Sequence, residues 1–314
     1  MAPSMLAKKL LTGLVLVVTA AATHALTLKV KCGATSGLSS VGAALKILQN
    51  DESSGPDTIN VSGACKENVA ISGFDRLTLI AAPGASIADA SGGTTDVLQM
   101  LDSSTVHVEG FTLNGSVSCL EDSTCTFVGN IFQGSPGDGV SVSRSYADLL
   151  PGALVPGNVI QNAAGNGLVV INGSVVRTIN LTIQHSGGAG ALEDSEGNLT
   201  AYVSSFVNNG DAGILVLTHS TLAARAGGNV VQGNAFDGIF VQGDSEAIVG
   251  GQSVINNNGG AGVRVGDLSY AEFRAPSNIT GNRAGTDVVC QPQFSATRGT
   301  KVNLGGGTTN CVEP

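Results

Sequence analysis

One spacing constrains this chain more than any other feature. A large apolar residue is followed seven positions later by glycine, and then by an apolar residue, a variable one and valine. The unit reads Phe132 with Gly139-Val140-Ser141-Val142, Ile160 with Gly167-Leu168-Val169-Val170, and Phe206 with Gly213-Ile214-Leu215-Val216. Two more copies are Val231 with Gly238-Ile239-Phe240-Val241 and Ile255 with Gly262-Val263-Arg264-Val265. A degraded copy, Ile183 with Gly190-Ala191-Leu192-Glu193, lies among them, and successive copies are 28, 23, 23, 25 and 24 residues apart. A seventh copy reads from Thr280, with Asp287 in the glycine place and Val288 and Cys290 pointing inward.

Self-similarity at this period signals a solenoid. Alternation of apolar and variable residues is the pattern of a strand with one buried face. Two dozen residues accommodate about three short strands and their turns, which closes one coil, and equivalent residues of successive coils then stack about 4.8 Å apart. The glycines belong at turns that need positive φ or close approach, and their share, 44 of 314 residues, is about twice the usual one. Asn162, Asn208 and Asn257 recur near the turn before the glycine, as a side-chain ladder requires. Leucine-rich repeats share the period, but their leucine-asparagine consensus is absent.

The flanks are read differently. Residues 1–25 combine Lys8 and Lys9, the apolar run Leu10 to Ala22 and the small residues Thr23 and Ala25, the pattern of a secretory signal peptide. Leu38, Val41, Ala44, Leu45 and Leu48 line one face of a helix ending near Gln49, a lid for a solenoid end that otherwise exposes unpaired backbone. All six cysteines follow the signal, where an oxidising compartment lets them pair; of about fifteen possible connectivities, proximity favours Cys32 with Cys65, Cys119 with Cys125 and Cys290 with Cys311. The expected division is signal peptide 1–25, strand and capping helix 26–56, β-helix 57–290 and C-terminal cap 291–314.

The arrangement Val30-Lys31-Cys32, a short helix, Thr58-Ile59-Asn60-Val61-Ser62-Gly63-Ala64-Cys65-Lys66-Glu67-Asn68-Val69, Leu77-Thr78-Leu79 and then the coils resembles bacterial right-handed parallel β-helix repeat proteins of the pectin-lyase-like superfamily. The resemblance implies an all-β fold, a single-stranded right-handed parallel β-helix with an N-terminal capping helix. It says less of activity, because that superfamily holds lyases, hydrolases, epimerases and adhesins. The calcium-binding aspartates and outward basic residue of its lyases, and the Gly-His-Gly and Arg-Ile-Lys of its hydrolases, are not found in this sequence. Arg264 is the best outward base, and no aspartate occupies the matching place in the neighbouring coils.

One departure invites chemistry. Glu193 stands where Val142, Val170, Val216, Val241 and Val265 point inward, and a buried carboxyl has its pKa raised and can act as a general acid. Asp194 and His185 of the same coil complete the candidate catalytic set. The competing reading, favoured because an unpaired buried charge costs several kcal/mol, is a register slip that turns Leu192 inward and Glu193 out. His219 reads as a solvated turn residue.

On the outer face the variable places run Ser141, Val169, Leu192, Leu215, Phe240 and Arg264, with Ile171 and Leu217 one step further. Exposed apolar patches mark contacts, unless a loop such as the one around Tyr146 to Val155 covers them. A net charge of −9, made two units more negative by loss of Lys8 and Lys9, excludes nucleic acid and anionic lipid as partners. No span beyond the signal and no metal or cofactor is expected. The expected role is a secreted or periplasmic β-helix protein of the cell envelope, a binding or structural module contacting a protein or glycan along its side. The alternative is a carbohydrate-active enzyme, a polysaccharide lyase, hydrolase or epimerase. The absence of tryptophan and the presence of only three tyrosines count against a glycan platform of aromatic faces.

Overall fold

The computed structural model describes residues 25–311 apart from 51–54, 154, 226, 267, 275, 292–295 and 299–307. The signal-peptide reading therefore falls almost wholly outside the described residues, and the C-terminal cap is described only in part. Each coil contributes one strand to each of three parallel sheets of twelve, ten and ten strands among the described residues. The first is called the long sheet here, and the sheet bearing the Gly-apolar-x-Val unit the valine sheet. The third, with strands such as Ile131–Gln133 and Val254–Asn256, is the short sheet.

Inward residues stack coil upon coil. In the valine sheet one row runs Ile71, Met100, Cys119, Val142, Val170, Glu193, Val216, Val241, Val265 and Cys290. In the short sheet Phe132, Ile160, Ile183, Phe206, Val231, Ile255 and Ile279 stack in the same way, and all are buried. Period-two alternation thus supplies one continuous apolar core, the main favourable term in folding. The seventh copy begins at Ile279, not Thr280: Ile279 pairs with Ile255, and the turn before Asp287 is one residue longer than in the other copies.

The glycine column exists for close approach and not for positive φ. A Cβ on Gly213 would lie 2.4 Å from Val231 Cγ1 and 2.7 Å from both Asn234 Nδ2 and the Gly238 carbonyl, so only hydrogen fits between coils there. The asparagine ladder is also shifted by one residue from expectation. Asn162, Asn208 and Asn257 are exposed left-handed turn residues, a conformation asparagine tolerates. The residues after them turn inward. Asn209 N and Nδ2 donate to Asn234 Oδ1 at 3.1 and 2.9 Å, Asn234 repeats this on Asn258, Asn258 on Asn282, and Asn282 on Asp287 Oδ1.

The helix Val41–Asn50 buries Val41, Ala44, Leu45 and Leu48 against the first coil, and Leu38 packs there partly buried. Ser40 Oγ accepts the Ala43 N–H at 3.2 Å, and the Glu67 carboxylate accepts the Val41 and Gly42 N–H groups at 2.8 and 3.0 Å. Two of the orphan donors of the helix start are thus satisfied from the body of the solenoid. Cys32 and Cys65, beside Glu67, form a disulfide, as do Cys119 with Cys125 and Cys290 with Cys311. Thr27–Lys31, ahead of the helix, is itself the first strand of the long sheet.

Candidate contact face and the buried carboxyl

The register across the degraded copy is unbroken. Leu192 pairs with Val169 and Leu215, and Glu193 with Val170 and Val216. The slip favoured from the sequence does not occur, and Glu193 points inward with 0 % of its surface exposed. Space for it comes from Ala191, the smallest residue of a row otherwise filled by side chains such as Leu168 and Ile214. Oε2 accepts the Leu199 N–H at 3.1 Å, while Oε1 has no hydrogen-bond partner. Desolvation raises the pKa well above the ordinary glutamate value, and the Leu199 N–H offsets little of that. Burial therefore favours the protonated carboxyl over the charged one, which would bear the cost of an unpaired buried charge.

The other two candidates lie elsewhere. His185 is exposed, in the left-handed turn place also held by Asn162 and Asn208. Asp194 sits half-buried on the outer face and accepts the Ser195 N–H at 2.7 Å. Among the described residues no hydrogen bond or ion pair joins any two of Glu193, Asp194 and His185. A general acid must come within hydrogen-bond reach of the group it serves, and the Glu193 carboxyl faces the packed interior. His219 is an exposed turn residue, 3.7 Å from Asp244.

The outward row of the valine sheet is Ser141, Val169, Leu192, Leu215, Phe240 and Arg264, in register. Val169 is shielded at 5 % exposure, and Leu192, Leu215 and Phe240 are half-buried by their neighbours. Phe236, in the turn leading to Phe240, is 60 % exposed. The segment after Tyr146–Leu150 does not cover this row. It lies where the long sheet turns toward the short sheet: Gly152 packs on Gly129, and the Asn180 side-chain amide donates to the Pro156 carbonyl. Beyond the shielded Val169, the residues Leu192, Leu215 and Phe240 keep part of their surface open on the outer face.

No aspartate occupies the matching strand place beside Arg264, which pairs with Phe240 and Val289, but the guanidinium has an aspartate partner from a turn. Its Nε and Nη2 donate to Asp237 Oδ2 and Oδ1 at 2.7 and 3.0 Å, a bidentate pair. Asp237 stands in the turn of the previous coil, just ahead of Gly238, so a search confined to strand positions overlooks it. The same carboxylate accepts the Ala261 N–H at 2.6 Å. Arg264 is thus neutralised and closes one end of the apolar row. The only cluster of metal-ligating groups among the described residues is Cys32, Cys65 and Glu67, where both sulfurs are oxidised and the carboxylate is engaged by the helix.

The right handed beta helix region matches residues 115–274. Two solved structures of similar fold are A-modules of Azotobacter vinelandii mannuronan C-5 epimerases. The module of AlgE4 is 13% identical, with 83% of each chain covered and a TM-score of 0.59. That of AlgE6 is 14% identical over 87% of this chain and 91% of its own, with a TM-score of 0.51. A third is ORF18 of Geobacillus virus E2, 12% identical over 77% of this chain and 54% of its own, with a TM-score of 0.51. No curated protein sequence matches. At such identities the likeness is one of fold, and function rests on the site. With the family match spanning just over half of its residues, the chain belongs to the right-handed β-helix family.

Proposed function

We propose that this protein is an exported binding or structural module of the cell envelope that works through the outer face of its valine sheet. The observation that carries the reading is the open row Leu192, Leu215 and Phe240, flanked by the exposed Phe236, beside a carboxyl that is sealed from any substrate. Apolar side chains on a flat sheet face fit a protein surface, where a buried centre of aliphatic and aromatic contacts supplies most of the affinity. Three disulfides suit an oxidising compartment, and residues 1–25 fit the matching export signal.

The test is a chain carrying Leu192→Lys, Leu215→Lys and Phe240→Lys. It keeps its unfolding transition, because all three side chains stand on the outer face, but no longer co-sediments with envelope of the source cell. Equal co-sedimentation of the variant and the parent overturns the reading. The carbohydrate-active alternative has its own test. Release of product from a glycan panel, abolished by Glu193→Gln, would replace the contact role with an enzymatic one.

A further inference from the structure

The long sheet carries a second feature that the contact face does not use. All three tyrosines of the chain, Tyr146, Tyr202 and Tyr270, lie on its strands at outward or half-buried places. The arginines of this sheet differ in how they are engaged. Arg177 gives Nε and Nη2 to Asp148 at 2.8 Å each, and Arg274 gives Nε and Nη2 to Glu272 at 2.8 and 3.4 Å. Arg225 is exposed, and among the described residues no carboxylate or other acceptor engages its guanidinium.

Register places these groups in one line. Ala201 pairs with Ala224, Ala224 with Val249, and Val249 with Phe273, so Tyr202, Arg225, Gly250 and Arg274 follow one another across four coils. With strands about 4.8 Å apart, Arg225 and Arg274 stand about 10 Å apart at their Cα atoms. Gly250, buried and without a side chain, lies between them. The result is a cleft of about 530 Å³ lined by these four residues with Ile248 and Pro276 among others.

We propose that this cleft binds a small organic ester of phosphate or sulfate, with the oxyanion over Gly250 between the two guanidiniums and the organic part against Tyr202. Arginine forks recognise oxyanions bidentately. A carboxylate has two oxygens in one plane and satisfies one fork. A tetrahedral ester group presents three oxygens and can serve two forks approaching from opposite sides. Glu272 holds Arg274 through Nε and Nη2 and leaves Nη1 for the ligand, whereas the whole fork of Arg225 is available. Tyr202, Ile248 and Pro276 form the apolar wall that ligand sites combine with a few convergent polar groups. The site is distinct from the contact face, being on another sheet.

The test is calorimetric titration of the full chain, at low ionic strength because exposed charges are screened by salt, with galactose 6-sulfate, inorganic sulfate and galacturonate. Galactose 6-sulfate binds, and the other two bind more weakly. Arg225→Gln weakens galactose 6-sulfate about tenfold, the loss of one charge-assisted pair, and Tyr202→Ala weakens it severalfold. Ile47→Lys, at an exposed place on the capping helix, changes nothing. Unfolding of Arg225→Gln matches the parent, which shows that the loss is local. Absence of binding, indifference to Arg225→Gln, galacturonate binding as tightly as the ester, or inorganic sulfate binding as tightly as the ester each overturns the proposal.

Discussion

Among the acidic residues buried in this solenoid, Asp287 and Glu193 are treated in opposite ways. Asp287 closes the asparagine ladder. It accepts the N–H and side-chain amide of Asn282 at 3.1 and 3.0 Å on Oδ1 and the Thr308 N–H at 3.0 Å on Oδ2. Burial alone would raise its pKa, but these donors outweigh burial and hold the carboxyl below the ordinary aspartate value. Glu193 is more deeply enclosed and has one donor, so burial wins and the pKa rises. Depth does not decide the charge of a buried acid; the number of donors aimed at it does. A ladder supplies donors from coil after coil, whereas a lone polar residue in an apolar row must carry its desolvation unaided.

The contrast can be broken from either side. The largest effect is expected from Asp287→Ala, which leaves Asn282 N–H, its amide and the Thr308 N–H without their acceptor. At about 1–3 kcal/mol for a stranded buried group, a loss of about 4 kcal/mol in unfolding free energy is expected, read by urea denaturation. Asn234→Ala, inside the ladder, removes the acceptor of two Asn209 donors and the donor to the Phe206 carbonyl, and should cost about 3 kcal/mol. Glu193→Val restores the row of Val170 and Val216 and should stabilise the protein by about 2 kcal/mol at neutral pH. Smallest is Leu215→Lys, within about 0.5 kcal/mol of the parent as a surface change, although it lies at the centre of the proposed contact face.

The coils from Phe132 to Val265 were legible because their spacing varies little and their inward residues are strongly apolar. The coils before them, over Asp57 to Leu113, are legible only as less regular ones with strands near Val69, Leu77 and Val106, because their turns differ: the segment Asp89 to Asp96 is a long turn organised by Asp89, which accepts N–H groups of Ser91 and Gly93 and the Asn68 amide. The ladder lies one residue beyond its expected place because Asn208-Asn209 and Asn257-Asn258 put two asparagines at each of these turns, and only three-dimensional geometry says which one faces in. The seventh copy opens at Ile279 and not Thr280 because one added turn residue preserves the alternation while shifting its start. Arg264 and Asp237 are 27 residues apart and in different kinds of position, so no strand pattern links them. For Glu193, the energetic argument against burial presumed a charge, and a neutral carboxyl evades it. Ala191, two residues earlier, was the signal that room had been made.

The charge state of the two acids gives opposite pH dependences. Asp287, with a depressed folded pKa, contributes stability that is present above the unfolded aspartate value and lost as pH falls. Glu193, with a raised folded pKa, contributes stability that is intact below the unfolded glutamate value. That contribution is lost as pH rises toward the folded value, because the unfolded chain releases a proton that the folded one keeps.

The account stands on Glu193 being a sealed, neutral residue whose role is confined to the core, which leaves the outer face as the working surface. Unfolding free energies of the parent and of Glu193→Val, measured in urea at about pH 5.5 and about pH 8, test this most directly. The account predicts that the variant is the more stable and that its advantage widens with pH, by up to about 1.4 kcal/mol per unit until the folded pKa is reached. A constant gap, or a parent more stable than the variant at the higher pH, would show that Glu193 is ionised and partnered in the folded protein, and would contradict it.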